Sequence, residues 1–413
     1  MRACKGQGMR GVMTELTISK LGHRGDGIGR DAIGTEHFVP FTLPGERVLA
    51  DPLRVLDPSV ARVTPPCPQF GSCGGCVVQH ASDDFVADWK VGIVRTALEA
   101  QGLPAPIAGI ATSPEASRRR ATFAGRRTKK TVSIGFHERA SDRIVPVTGC
   151  RTVAPAVLAT LPALEALVHA GASRKATLRL TVTASEAGPD IAVEGGKPTD
   201  PELVQTLLAI ASDHDVARLS WSDETLATFR SPTQTFGPAR VVPPAGAFLQ
   251  ATEHGQAALI AAVSDVIGDA NRVVDLFAGC GTFTLPLAVG ADVLALESEA
   301  PMLAALDAGW RGTPGLRKIV TKTRDLFRNP VPGANLRSFD AAVIDPPRAG
   351  ALAQTEALAE SGIPKVAAVS CNPVTFARDA AVLVNAGYSL DRVLVIDQFR
   401  WAAHVELVAA FSR

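Results

Sequence analysis

The stretch Val274-Asp-Leu-Phe-Ala-Gly-Cys-Gly-Thr-Phe-Thr284 decides the fold. It starts as an apolar run suited to a buried strand, turns at two glycines, and continues as the start of a helix. Gly279 and Gly281 let the backbone approach a ligand closely. Working outward, a helix is expected over residues 256–267 and strands over 273–277, 292–296, 340–344 and 365–370. Strands that alternate with helices predict an α/β, doubly wound parallel sheet. Its ligand crevice lies beyond the carboxyl ends of the strands. Two β-type segments, 392–396 and 405–411, end the chain as an expected hairpin.

The strand ends carry the polar residues. Glu297 ends Leu294-Ala-Leu-Glu297, where a carboxylate can accept hydrogen bonds from ribose hydroxyls. Methyltransferases and nicotinamide enzymes share that device. The glycine turn lacks the G-x-G-x-x-G spacing of the dinucleotide fingerprint, and the terminal hairpin favours a Rossmann-like methyltransferase. Asp345 opens Asp345-Pro-Pro-Arg-Ala-Gly350, whose prolines stiffen the backbone and remove two donors. Amino-methylating enzymes place an aromatic after Asp-Pro-Pro, and Arg348 stands there instead. Cys371, in Val369-Ser-Cys-Asn-Pro373, ends the next strand beside Asp345. A thiol there suits carbon methylation. Carbon 5 of uracil is a poor nucleophile until a thiolate adds at carbon 6, and a base must then remove the carbon 5 proton. Asp345 can hydrogen-bond the uracil edge. Glu406, in His404-Val-Glu406, is the candidate base.

Residues 275–284, 345–350, 370–373 and 404–406 resemble the RNA 5-methyluridine (uracil-5-)methyltransferase family, and the resemblance runs over essentially the whole chain. It implies a class I methyltransferase domain with S-adenosylmethionine as methyl donor, Cys371 as nucleophile and Glu406 as base. It also places Gln250, Phe277, Thr282, Glu297, Asp325 and Asp345 at cofactor-contacting positions, beside Gly279 and Gly281. Two departures stand out. Arg400 replaces a usual proline, and Thr282 stands where some relatives have asparagine.

Three regions are expected: a small β-barrel at 1–56, a mixed α+β region at 57–235 and the methyltransferase domain at 236–413. Short strands and glycine-rich turns suggest the barrel, and Leu43-Pro-Gly-Glu46 is similar to the family's RNA-binding TRAM module. Strands are expected at 131–136 and 177–183, helices at 89–100 and 201–212, and a boundary in the proline-rich run 232–244. Cys67, Cys73, Cys76 and Cys150 supply four thiolates, which suit an iron–sulfur cluster or zinc equally on ligand count. The resemblance of Phe70-Gly-Ser-Cys-Gly-Gly-Cys76 to the motif of the 23S rRNA enzymes implies a [4Fe-4S] cluster. Cys4 and Cys280 have no assigned role.

The net charge of +1 means that an RNA-binding footprint must be local. Residues 118–130 hold seven basic side chains, Arg118, Arg119, Arg120, Arg126, Arg127, Lys129 and Lys130, which are expected to meet phosphates or to form a solvated face. With one tyrosine in the chain, extensive base stacking is not expected. No apolar run approaches the roughly 20 residues that span a bilayer, and residues 1–10 do not read as a secretion signal. The expectation is therefore a cytoplasmic, monomeric enzyme with no membrane contact. Its expected substrate is 23S rRNA, with the tRNA T-loop as alternative. A non-catalytic RNA-binding assembly factor and a small-molecule methyltransferase are competing readings.

Overall fold

A computed structural model describes residues 14–413; Cys4 and the basic segment 1–10 lie outside the described residues. The glycine turn belongs to an eight-stranded sheet. Its strand order is Ile319–Thr323, Asp292–Glu297, Arg272–Leu276, Ala341–Ile344, Lys365–Ser370, Glu406–Ser412, Ser389–Asp397 and Ile107–Thr112. The first five are mutually parallel. Glu406–Ser412 is antiparallel to both of its neighbours, so the terminal hairpin is inserted into the sheet as expected. The central strands are buried on both faces, which explains their near-continuous apolar sequence. Val274, Leu276, Ile344 and Val366 face one core, whereas Val273, Val343 and Ala367 face the other.

The segment 57–235 is divided between two sheets. The helix Asp83–Glu99 and the strand Ile107–Thr112 join the eight-stranded sheet. Seven strands from Arg120 to Thr228 form a second sheet, covered by the helices Leu161–Gly171 and Pro201–Asp213. Nothing in the alternation of Ile107-Ala-Gly-Ile-Ala-Thr112 announces a partner near the other end of the chain, and this strand was not foreseen.

At the N-terminus five antiparallel strands run in the order Glu36–Pro40, Asp26–Arg30, Glu15–Leu21, Arg47–Ala50 and Leu53–Asp57. They enclose Leu16, Ile18, Val39 and Val48. Among the described residues no ladder joins the first of these to the last, so the structure shows a small β-sheet domain without the closure of a barrel. Among the described residues no helix is long and apolar enough to cross a membrane.

Four of the seven basic side chains of the run 118–130 are taken up by contacts within the fold, which narrows the expectation of a phosphate-binding or solvated face to the other three. Arg119 is buried and donates to Gln256 Oε1 at 2.6 Å and to the Gln250 carbonyl at 3.2 Å. Arg118 lies over the Phe399 ring, 5.2 Å from its centroid. Arg120 and Arg127 donate to the carbonyls of Gly246 and His169. Arg126, Lys129 and Lys130 remain exposed.

The helix Asp83–Glu99 is tied to the last hairpin by a buried ion pair. Lys90 Nζ donates to Asp397 Oδ1 at 2.5 Å and to the Phe399 carbonyl at 3.2 Å, and both side chains are out of contact with water. Removing one partner of such a pair strands the other charge. Lys90→Ala is expected to destabilise the fold by about 3–5 kcal/mol, read as a lowered thermal unfolding midpoint. Arg311→Ala, which breaks an exposed pair with Asp307, should leave the midpoint unchanged.

Candidate active site

Three adjacent strands end in the three predicted reacting groups. Asp345 follows Ala341–Ile344, Cys371 follows Lys365–Ser370, and Glu406 begins the antiparallel Glu406–Ser412. Ser370 pairs with Leu407, so Glu406 emerges at the level of Cys371. The loop after Asp345 is clamped to the helix that starts at Pro373. Asn372 Nδ2 donates to the Arg348 carbonyl at 2.9 Å, Arg378 donates to the Ala349 carbonyl, and Asp379 Oδ2 accepts from the Ala351 amide at 2.7 Å. Asn372 caps that helix, with its side chain accepting from the Val374 amide.

The electrostatics set these groups apart from ordinary side chains. Burial pushes the Cys371 thiol up to about 11, with the carboxyls of Glu406 and Asp345 adding to the effect and Arg348 opposing it. A thiol beside a helix N-terminus usually ionises more readily, but here burial and the two acids outweigh the helix. Asp345 is half-buried, and burial together with Glu406 and Asp275 raises it well above the carboxylate range. Burial lifts Glu406 to about 7, against a hydrogen bond from Gln398 that lowers it. Each of the three therefore favours its neutral form more than the same group in water.

The predicted cofactor-contacting residues gather around the glycine turn. Gly279 and Gly281 both adopt positive φ, 55° and 95°. A Cβ on Gly281 would strike Leu306 and Leu285 at under 3 Å, whereas one on Gly279 would meet only Met302, at 3.7 Å. Gly281 is thus required by packing, and Gly279 leaves open space toward the crevice. Phe277 holds φ at 67°, a costly conformation for a bulky residue. Its ring lies 5.4 Å from that of Phe327, an exposed aromatic that the sequence reading missed. Thr282 is half-buried on the same turn. Glu297 Oε2 accepts from the Gly279 amide at 3.1 Å, while Oε1 accepts from the amides of Ser298 and Glu299. Asp325 caps its own turn by accepting from the amides of Phe327 and Arg328. Buried Asp275 holds the turn closed by accepting from Thr284 Oγ1 at 2.5 Å, and burial raises it to about 6.

Gln250 lies across the crevice, buried just before the helix Glu253–Ile267, and its Oε1 accepts from Gln398 Nε2 at 2.6 Å. Gln398 was not foreseen. The available signal was the same one that marked Glu297 and Asp345: a polar pair, Asp397-Gln398, ending an apolar strand.

The loop from Asp397 to Val405 is held from outside the sheet. Two amides of the cysteine segment, Val77 and Val78, donate to the Trp401 carbonyl at 2.8 and 3.2 Å. Arg400, the departure from the family pattern, donates to Asp83 at 2.6 Å and to the Ser113 carbonyl at 3.3 Å, and stacks over Trp401. These bonds replace the stiffness that a proline would give.

A second site lies behind this loop. Cys67, Cys73, Cys76 and Cys150 line one cavity of about 420 Å³, together with Phe70, Phe136 and Arg118. Burial and the neighbouring thiols raise Cys73, and they push Cys76 up to about 12. Among the described residues no group of three or more His, Cys, Asp or Glu is drawn together tightly enough to hold a metal ion. Cys280 is buried in the core on one face of the eight-stranded sheet.

The tRNA (Uracil-5-)-methyltransferase family matches residues 314–413. The chain is 42% identical to an RNA methyltransferase of Caulobacter vibrioides, over 97% of this chain and 100% of that one. It is 32% identical to the 23S rRNA (uracil(1939)-C(5))-methyltransferase of Halomonas elongata, over 95% of this chain and 88% of that one. In fold it is similar to the tRNA (uracil-54, C5)-methyltransferase of Pyrococcus abyssi, solved in complex with S-adenosyl-L-homocysteine. The TM-score is 0.74 at 21% identity, covering 97% of this chain and 100% of that one.

The raised thiol makes a direct prediction. The rate at which iodoacetamide alkylates Cys371 follows its thiolate fraction, so in the free protein it should climb with a midpoint near pH 11. Glu406→Gln removes a repelling charge and should move that midpoint down. A midpoint at an ordinary thiol value in both proteins would contradict the crowding of acids described above.

Proposed function

The chain belongs to the RNA (uracil-5-)methyltransferase family, and we propose that it transfers a methyl group from S-adenosylmethionine to carbon 5 of a uracil in 23S rRNA, through a covalent adduct at Cys371. The observation that carries this reading is the convergence of Cys371, Asp345 and Glu406 at three neighbouring strand ends beside the glycine turn. The ribosomal substrate is supported by the Halomonas elongata relative, which matches along most of both chains. The regions 1–56 and 57–235 are read as the parts that meet the RNA.

The donor fits the residues present. A crevice in which Asp345, Glu406 and Asp275 all resist ionising is short of positive charge, and a sulfonium supplies it. Glu297 and Asp325 are placed to take ribose or adenine donors, Phe277 and Phe327 to flank the adenine, and Gln250 and Thr282 to line the remainder. S-adenosylmethionine, when bound, offers an electrophilic methyl group.

The chain's own residues do the rest. Cys371 gives up its proton to solvent, and its sulfur bonds to carbon 6 of the uracil. The electrons of the carbon 5–carbon 6 double bond move toward oxygen 4. Asp345, protonated in its buried setting, donates to the charge that develops on the uracil edge. After carbon 5 has taken the methyl group, Glu406 removes the carbon 5 proton. The electrons of that bond restore the double bond and expel the Cys371 thiolate.

For the second site we propose a [4Fe-4S] cluster on Cys67, Cys73, Cys76 and Cys150. The reading is supported by the resemblance of Phe70-Gly-Ser-Cys-Gly-Gly-Cys76 to the motif of the 23S rRNA enzymes, by the four thiols that line one cavity, and by Arg118 beside it, which suits an anionic group. Methyl transfer is redox-neutral, so the cluster's part is to brace the segment that holds Trp401.

A second reading, methylation of the tRNA T-loop, is favoured by the fold shared with the Pyrococcus abyssi enzyme.

Labelled S-adenosylmethionine given with 23S rRNA transcripts and with tRNA tests the reading. Label is expected at carbon 5 of uracil in the ribosomal RNA; label in tRNA alone would move the assignment to the T-loop, and label in neither would overturn it. Cys371→Ala should lower turnover on the order of 10⁴-fold and abolish trapping by 5-fluorouridine RNA. Anaerobically purified protein should contain iron and acid-labile sulfide and absorb in the visible; zinc without sulfide would replace the cluster by a single ion.

A further inference from the structure

Gln398 is buried to 2% exposure at the turn between the last two strands. Its Oε1 accepts from the Thr252 amide at 3.2 Å, and its Nε2 donates to Gln250 Oε1 at 2.6 Å and to Glu406 Oε2. The amide orientation follows from the partners. A backbone N–H can only donate, so the oxygen must face Thr252 and the NH₂ group must face the two oxygens.

The side chain is also fitted in place. Gly255, in the first turn of the helix Glu253–Ile267, lies against it, and a Cβ there would sit 2.2 Å from Gln398 Cγ and 2.6 Å from Cδ. Thr252 caps the same helix by accepting from the Gly255 amide at 2.9 Å, and its hydroxyl is 2.7 Å from Ser113 Oγ. The stem of Gln398 thus rests on a glycine at a rigid helix start. Both hydrogens of its amide are committed, one on each side of the crevice.

We infer that Gln398 is a positioning residue, which fixes Glu406 by one carboxylate oxygen and leaves the other oxygen to take the carbon 5 proton. The inference rests on the reading of Glu406 as the base. Among the described residues Oε1 of Glu406 has no hydrogen-bond donor, so it is the oxygen left for the proton. A bond donated to a carboxylate stabilises the charged form, which opposes the burial that lifts Glu406. The other titratable groups around Glu406 are Asp397 at the end of the paired strand, Asp345, and Cys371. None of these donates to it, and Asp397, although paired with Lys90, adds to the rise of Glu406. Removing the Gln398 donor therefore raises Glu406 further and leaves less carboxylate at neutral pH. Because the same amide holds Gln250, the base is aligned relative to the cofactor side of the crevice.

The test separates methyl transfer from proton removal. RNA carrying tritium at uracil carbon 5 reports proton removal by release of label. The covalent Cys371–RNA species, resolved on a denaturing gel, reports what has been methylated and not yet released. Gln398→Met keeps the length of the side chain and loses its hydrogen bonds. Tritium release should fall about 10- to 100-fold and the covalent species should accumulate. The acid limb of the release profile should move about one to two pH units alkaline. Gly255→Ala displaces Gln398 without removing it, at a helical position where alanine is favoured, and should show the same pattern in weaker form.

If label release and adduct formation fall together in Gln398→Met with the acid limb unmoved, Gln398 is only part of the packing and the inference is overturned; unchanged kinetics overturn it as well. Glu406→Gln run alongside keeps the two levels apart. Should it release tritium at the wild-type rate, the assignment of the base itself fails, whatever the Gln398 variant does.

Discussion

The register of one antiparallel strand governs the chemistry of this protein. Glu406–Ser412 lies between Lys365–Ser370 and Ser389–Asp397, with Leu407 opposite Ser370 and Glu406 opposite Ile396. Side chains alternate across a strand, so a slip of one residue would turn Glu406 to the other face and carry it away from Cys371. Leu407, Ala409 and Phe411 face one core and Val408 the other, which makes such a slip costly on both faces at once. The place of Glu406 along the crevice is therefore set by the apolar burial of Leu407, Val408, Ala409 and Phe411, and the bond from Gln398 orients its carboxylate there.

That arrangement accepts an electrostatic cost. Glu406 and Asp275 make ionisation of Asp345 harder, and Glu406 and Asp345 do the same to the Cys371 thiol. Such groups are not kept for stability, since apolar residues would pack there without penalty. Their crowding suits a site that is completed by a cation, as the proposed methyl donor would be. Arg348 and a backbone hydrogen bond oppose the effect at Cys371.

Much of this was legible in the chain because parallel strands are short, apolar and end at the crevice. Glu297, Asp345 and Cys371 each follow such a run, and the structure brings the ends together as the alternation predicts. The same rule applied to Val393-Leu-Val-Ile-Asp-Gln398 would have singled out Gln398, but its role depends on Thr252 and Gly255, which no local pattern connects to it. The basic run 118–130 was legible only in part, for the opposite reason. Composition reports charge but not direction, and Arg118, Arg119 and Arg120 turn inward to Phe399, Gln250, Gln256 and Gly246. The strand Ile107–Thr112 was hidden because its ladder partner is distant in sequence. The closure of a barrel likewise cannot be read from strand signals alone.

The Trp401 carbonyl accepts from Val77 and Val78, and it lies five residues before Glu406. The loop that leads into Glu406 is therefore anchored on the cysteine segment through a main-chain oxygen, so a shift of that segment reaches the crevice through the backbone and no single side-chain replacement at Trp401 can uncouple the two.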